Sequence, residues 1–137
     1  AGLGGPDFGC NVEGIFAQHL FAVPAVKGVD FGAGVALSLM RGSEANDPFA
    51  VENGQVITKT NNSGGINGGI TNGMPVTFEV TLRPTPSIAL PQESVDLRTG
   101  EETEITIKGR HDPCIVPRAV PVIEAAAALA ACQVLGL

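Results

Sequence analysis

The residues best equipped for chemistry gather at three places in the chain. Gly109-Arg110-His111-Asp112-Pro113-Cys114 sets a cation, an imidazole and a carboxylate side by side. Asp112 could exchange a proton with a substrate or cofactor nitrogen. An Asx-turn ahead of Pro113, with Arg110 paired to a carboxylate, accounts for the same residues without chemistry. Arg83-Pro84-Thr85-Pro86-Ser87 places one guanidinium and two hydroxyls on a proline-stiffened backbone. Such a donor array suits a phosphate or the polar edge of a cofactor ring, and it also fits a plain strand end with exposed polar residues. The third place, Asn61 to Gly73, reads NNSGGINGGITNG. Its glycines and asparagines tolerate positive φ, so backbone N–H groups could converge on an anion, or the stretch could be a multi-turn connection. No GK[ST] follows it and no buried parallel strand precedes it, which excludes a Walker A loop and a dinucleotide fingerprint. His19 lies on the apolar face of a helix and reads as a core or interface histidine rather than a ligand.

Several elements must position these groups. Val12, Ile15, Phe16, His19 and Leu20 recur at helical spacing behind a capping Asn11, which predicts a helix ending near Pro24. Val26 to Phe31 predicts a short strand. Ala36 to Arg41 fits either helix or strand, Gly42 to Gly54 reads as loop, and Gln55 to Thr60 as a strand. Val76, Phe78, Val80 and Leu82 alternate with polar residues, which is the pattern of a half-buried strand. A hairpin is predicted from Ser94–Leu97, a turn over 98–101, and the alternation of Thr103, Ile105 and Ile107. Pro117 to Pro121 then leads into an Ala-rich helix through Leu135, with proline tolerated in its first turn. The class is α+β, an antiparallel sheet packed with helices, in one domain spanning 1–137.

Composition narrows the function classes. The chain has 137 residues, a net charge of −6, six Phe and neither Tyr nor Trp, so stacking platforms and a basic footprint for nucleic acid are both wanting. With 44% hydrophobic and 16% charged residues it should fold around a real core. Cys10, Cys114 and Cys132 are far apart and form no CxxC pair, so no metal site or disulfide framework is expected, and buried thiols are. The apolar run from Ala119 is broken by Pro121, Glu124 and Gln133, which argues against a bilayer span. A soluble cytoplasmic protein is the expectation.

Read in order, FAVPAVKGVDFGAG, MRGSEANDPF, TNNSGGINGGITNGMP, RPTPSI, VDLRTGEE and GRHDPCIVPRAVPVIEA resemble the carboxy-terminal half of the chorismate synthases. The resemblance covers nearly the whole chain, and the NNSGGINGGITNG and GRHDPC blocks together are specific. It implies a lyase that uses reduced FMN to eliminate phosphate from 5-enolpyruvylshikimate 3-phosphate, giving chorismate without net redox change. It also implies flavin contacts at Pro24, Ala25, Gly68, Arg83, Pro84, Thr85, Pro86, Ser87 and Arg110, with Asp112 as the acid-base partner of the flavin at N5. Arg110 would also face the anionic substrate.

The family fold is a sandwich of helices between two antiparallel sheets, of which this chain would supply one half, and family members are homotetramers. Four positions depart from the usual pattern. Arg83 stands where many members have Lys, Gly5 where Glu is common, Val35 where an aromatic is usual and Ala45 where His or Asn is usual. The family's G-[ED]-S-H-G motif and most of its substrate-binding arginines have no counterpart here. The chain alone is therefore expected to be inactive, with the missing part supplying the positive field for anionic ligands. A non-catalytic binding or oligomerisation module that kept the fold is the competing expectation.

Overall fold

The computed structural model describes residues 1–137. Asn11 starts the first helix, α1 (Val12–Phe21), by accepting the Gly14 amide through Oδ1 at 2.9 Å. Val12, Ile15, Phe16 and Leu20 are its buried face. The chain leaves α1 at Val23-Pro24 and returns along it as β1 (Val26–Phe31), which pairs antiparallel with β6 (Phe78–Leu82). Opposed residues run from Val26↔Leu82 to Phe31↔Phe78, with an irregularity between Val26 and Gly28. The sheet joins α1 through a triangle of rings: Phe16, Phe31 and Phe78 have centroids 5.7–6.5 Å apart.

The second long helix, α3 (Val116–Leu135), packs beside α1, where Ala126 and Ala130 are small enough to let the helices approach. His19 Nε2 lies 2.9 Å from Gln133 Oε1, so the histidine ties the two helices together, as an interface residue would. α3 is long and apolar enough to cross a bilayer. It nevertheless carries Arg118, Glu124 and Gln133, and its Gly136 cap in the left-handed region closes it in ordinary fashion.

The segment expected to be loop, 42–54, is structured. A one-turn helix, α2 (Gly42–Ala45), precedes β2 (Phe49–Glu52), which pairs with β3 (Gln55–Thr58) across Asn53-Gly54. Both turn residues have positive φ, +51° and +79°, so Asn-Gly marks a two-residue hairpin turn here rather than the end of a loop. The ambiguous stretch before it is a 3-10 helix, Gly34–Leu39. Inside the Gly/Asn stretch sits a further small hairpin, β4 (Ile66–Asn67) with β5 (Ile70–Thr71). The predicted hairpin near residue 100 forms as β7 (Gln92–Val95) with β8 (Glu102–Ile105).

The architecture is thus α+β and antiparallel throughout, with four two-stranded ladders in place of one wide sheet. Its core is one cluster of seven buried side chains from α1, α3 and Ile66. Much apolar surface faces solvent, including Phe49, Val51 and Leu97. The cysteines differ from expectation: Cys114 and Cys132 are exposed and Cys10 half-buried, because none of them falls on the packed faces of α1 and α3.

Candidate functional site

β6 ends where the chain meets the residues following α1. The Arg83 amide donates to the Ala25 carbonyl at 2.8 Å, which fixes Pro24-Ala25 and Arg83-Pro84-Thr85 at one end of the β1–β6 ladder. Ala25 is held at φ +76°, a conformation that costs a residue with a Cβ about 1 kcal/mol or more. Beyond Arg83, the Thr85 hydroxyl is buried and has no hydrogen-bond partner. Buried hydroxyls are rarely left so, and an orphan of this kind points to an absent partner. Thr85 helps to line a cavity of about 220 Å³. Its opposite wall is Pro113, Cys114, Ile115 and Val116, the corner that leads into α3. Pro86 is exposed and Ser87 half-buried just beyond.

The corner itself is pinned on both sides. His111 Nε2 donates to the Ile107 carbonyl at 3.0 Å, and Asp112 Oδ2 is 2.9 Å from Arg118 Nη1. The carboxylate's partner is therefore Arg118, six residues on, because the turn at 113–115 folds the first turn of α3 back over Asp112. Arg110, the neighbour that adjacency favours, is exposed, and neither it nor Asp112 is in the cavity lining, which on this side begins at the next residue, Pro113. Sequence reading passed over Arg118. The available signal was a cation in the first turn of a helix, where the macrodipole disfavours one.

The Gly/Asn stretch is mostly occupied with itself. Gly64, Gly65 and Gly69 are buried at positive φ, and a Cβ on any of them would strike backbone of Gly32, Pro75 or Gly5. Gly68 alone of these has open space around it, at φ +58°. Asp47 anchors the start of the stretch. Its carboxylate accepts from Thr60 Oγ1 at 2.6 Å and from the amides of Asn62 and Ser63 at 2.7 and 2.8 Å. Burial alone would raise the Asp47 pKa, but the hydrogen bonds from Thr60, Ser63 and Asn62 outweigh it and leave the group below the usual aspartate range. Glu13, in the first turn of α1, is pushed up by burial.

The structure brings Ala25, Arg83, Thr85 and the 113–116 wall together. It does not bring Gly68 to them. The Gly69 carbonyl accepts the Val12 amide at the start of α1, whereas Ala25 follows the end of that helix. Ten helical residues, about 15 Å, lie between. A ligand touching both places must be long, or must reach them from outside this chain's own cavity.

A cofactor with hydrogen-bonding ring edges and an anionic tail fits what is present, since Arg83 and Thr85, whose hydroxyl is unpartnered, both line one hollow. The hollow is nevertheless smaller than the roughly 300–1,000 Å³ of a pocket that encloses a drug-sized ligand. A hollow of this size can border only one side of such a group.

Comparison with known proteins gives a consistent answer. The sequence model of the chorismate synthase family matches residues 1–135. The chorismate synthase of Thermococcus gammatolerans is 58% identical over 125 residues, 91% of this chain and 35% of the relative. That of Pyrococcus abyssi is 54% identical over 123 residues, 90% of this chain and 34% of the relative. A chorismate synthase crystal structure superposes with a TM-score of 0.60 at 35% identity, covering 63% of this chain and 26% of that one. The chain spans about a third of the length of the curated relatives it matches. On the family match and the shared architecture, the chain belongs to the chorismate synthase family.

Proposed function

We propose that this chain carries one wall of the flavin site and the acid-base carboxylate of a chorismate synthase, acting on 5-enolpyruvylshikimate 3-phosphate in aromatic biosynthesis. The observation that carries the reading is the cavity between the Arg83–Thr85 and Pro113–Val116 corners, whose lining includes Thr85 with its unpartnered hydroxyl. Reduced FMN, when bound, supplies transient electron density to a 1,4-elimination that leaves no net redox change.

The chain's own residues hold, orient and shield. Pro24 and Ala25 would pack against the ring, and Arg83, Thr85 and Ser87, on a backbone stiffened by Pro84 and Pro86, would donate hydrogen bonds to its polar edge. Gly68 makes a backbone approach at the far end, and Arg110 faces an anionic group. Asp112 holds or releases a proton at Oδ1, because Oδ2 is engaged by Arg118. A net charge of −6 cannot by itself attract a phosphorylated substrate, so the positive field comes from elsewhere in the assembled, tetrameric, cytoplasmic enzyme. The exposed apolar faces are consistent with such further contacts.

FMN titration and steady-state turnover of the full-length protein test the proposal. Asp112→Asn should slow turnover at least a hundredfold with FMN affinity nearly unchanged. The chain of 137 residues by itself should bind FMN weakly and turn nothing over. Unchanged turnover in Asp112→Asn removes the acid-base assignment, and micromolar FMN binding by the isolated chain removes the claim that it forms only one wall.

A further inference from the structure

The single ion pair in the chain joins Asp112 Oδ2 to Arg118 Nη1 at 2.9 Å. Stability does not explain it. The Arg118 side chain is 77% exposed, and ion pairs that open to water add little. Arg118 also sits in the first turn of a twenty-residue helix, where the exposed N–H groups favour anions and a cation is out of place.

Its backbone, by contrast, is firmly set: the Arg118 and Ala119 amides both donate to the Ile115 carbonyl at 3.0 Å. The guanidinium is therefore delivered from a rigid element. Of the five residues it bridges, the first four, Pro113 to Val116, are one wall of the cavity that faces Arg83 and Thr85. On the other side of Asp112, His111 is tied to the Ile107 carbonyl. Asp112 is thus fixed from both directions.

We propose that Arg118 is a positioning residue, whose guanidinium occupies Asp112 Oδ2 and so turns Oδ1 toward the group bound beside the 113–116 wall. The inference rests on the reading that Asp112 exchanges protons with a bound flavin. Loss of the guanidinium frees the carboxylate to rotate while α3, held by its own backbone hydrogen bonds from the Ile115 carbonyl onward, stays in place. The substitution Arg118→Lys would restore a charged donor with one hydrogen bond, though without the planar fork.

The test uses Arg118→Ala, Arg118→Lys and Asp112→Asn in the full-length protein, with turnover and FMN dissociation constants measured for each. Arg118→Ala should lower kcat tenfold or more with FMN affinity and substrate KM within about threefold. Arg118→Lys should recover most of the loss, and the double variant Asp112→Asn with Arg118→Ala should be no slower than Asp112→Asn. A readout free of turnover is the guanidinium nitrogen resonance of Arg118 in flavin-free protein, which should shift on Asp112→Asn. If Asp112→Asn is slow and Arg118→Ala is not, the positioning role is overturned and the acid-base reading stands. If Asp112→Asn is itself silent, both are overturned. Joint loss of FMN affinity and turnover in Arg118→Ala, unrelieved in Arg118→Lys, would make the pair a structural tie and overturn the positioning role.

Discussion

The Arg83 amide and the Ala25 carbonyl meet at 2.8 Å, so two corners 58 residues apart in the chain form a single platform. Ala25 holds its side of that bond at φ +76°. Replacing Ala25 by Gly should relieve this and raise stability by about 0.5–1 kcal/mol, whereas Val should lower it by about 1–2 kcal/mol. Thermal melts of the two variants check the sign. A destabilised Ala25→Gly would mean that the methyl group's packing outweighs the backbone strain.

Thr85 permits a sharper separation of stability from binding. Its buried hydroxyl has no partner, so Thr85→Val, which keeps the shape, should leave flavin-free stability equal or higher by up to about 1 kcal/mol. In the complete protein the same change should weaken FMN binding about five- to tenfold, the loss of one hydrogen bond. Fluorescence titration gives the second number. Unaltered affinity would show that the hydroxyl is not turned toward the cofactor.

Asp47 gives a pH dependence whose sign follows from its lowered pKa. A carboxyl that ionises more readily when folded adds stability above its unfolded pKa, and that stability is lost as pH falls through the lower folded value. Wild type should therefore exceed Asp47→Asn by about 1–2 kcal/mol at neutral pH, from hydrogen bonds to a partly open charged group. The gap should close in acid, below the ordinary aspartate range. Denaturant melts of both proteins across that range decide it, and a gap independent of pH would rule out the charge as its source.

Two glycines in one stretch should respond differently. Gly64→Ala drives a methyl into the Gly32 backbone at a buried site and should cost about 3 kcal/mol or more. Gly68→Ala meets nothing within 4 Å and carries only the left-handed penalty, about 1 kcal/mol. Equal losses would show that the backbone packed on Gly64 yields to a methyl group at no added cost. A larger effect of Gly68→Ala on FMN affinity than on stability would support its place at the far end of the cofactor.

The sequence by itself determined the elements whose signals are local. Asn11 and the apolar spacing behind it mark α1, alternation marks β6, and the Ala-rich run after Pro117 marks α3. The family was legible too, because six segments resemble it in order, the NNSGGINGGITNG and GRHDPC blocks among them. Asn53-Gly54 is ambiguous in the sequence, since the same dipeptide serves both a loop and a tight hairpin and only pairing of its flanks distinguishes them.

What the tertiary structure alone decided is which groups meet. β6 pairs with β1 across some fifty residues, which sets Arg83 on Ala25 and leaves Gly68 at the opposite end of α1. Asp112 turns to Arg118 rather than to adjacent Arg110 because a helix start folds over it. The physical reason is common to these cases. Periodicity and capping are short-range properties of the backbone, whereas a site is made by long-range pairing and by corners whose direction no local pattern encodes.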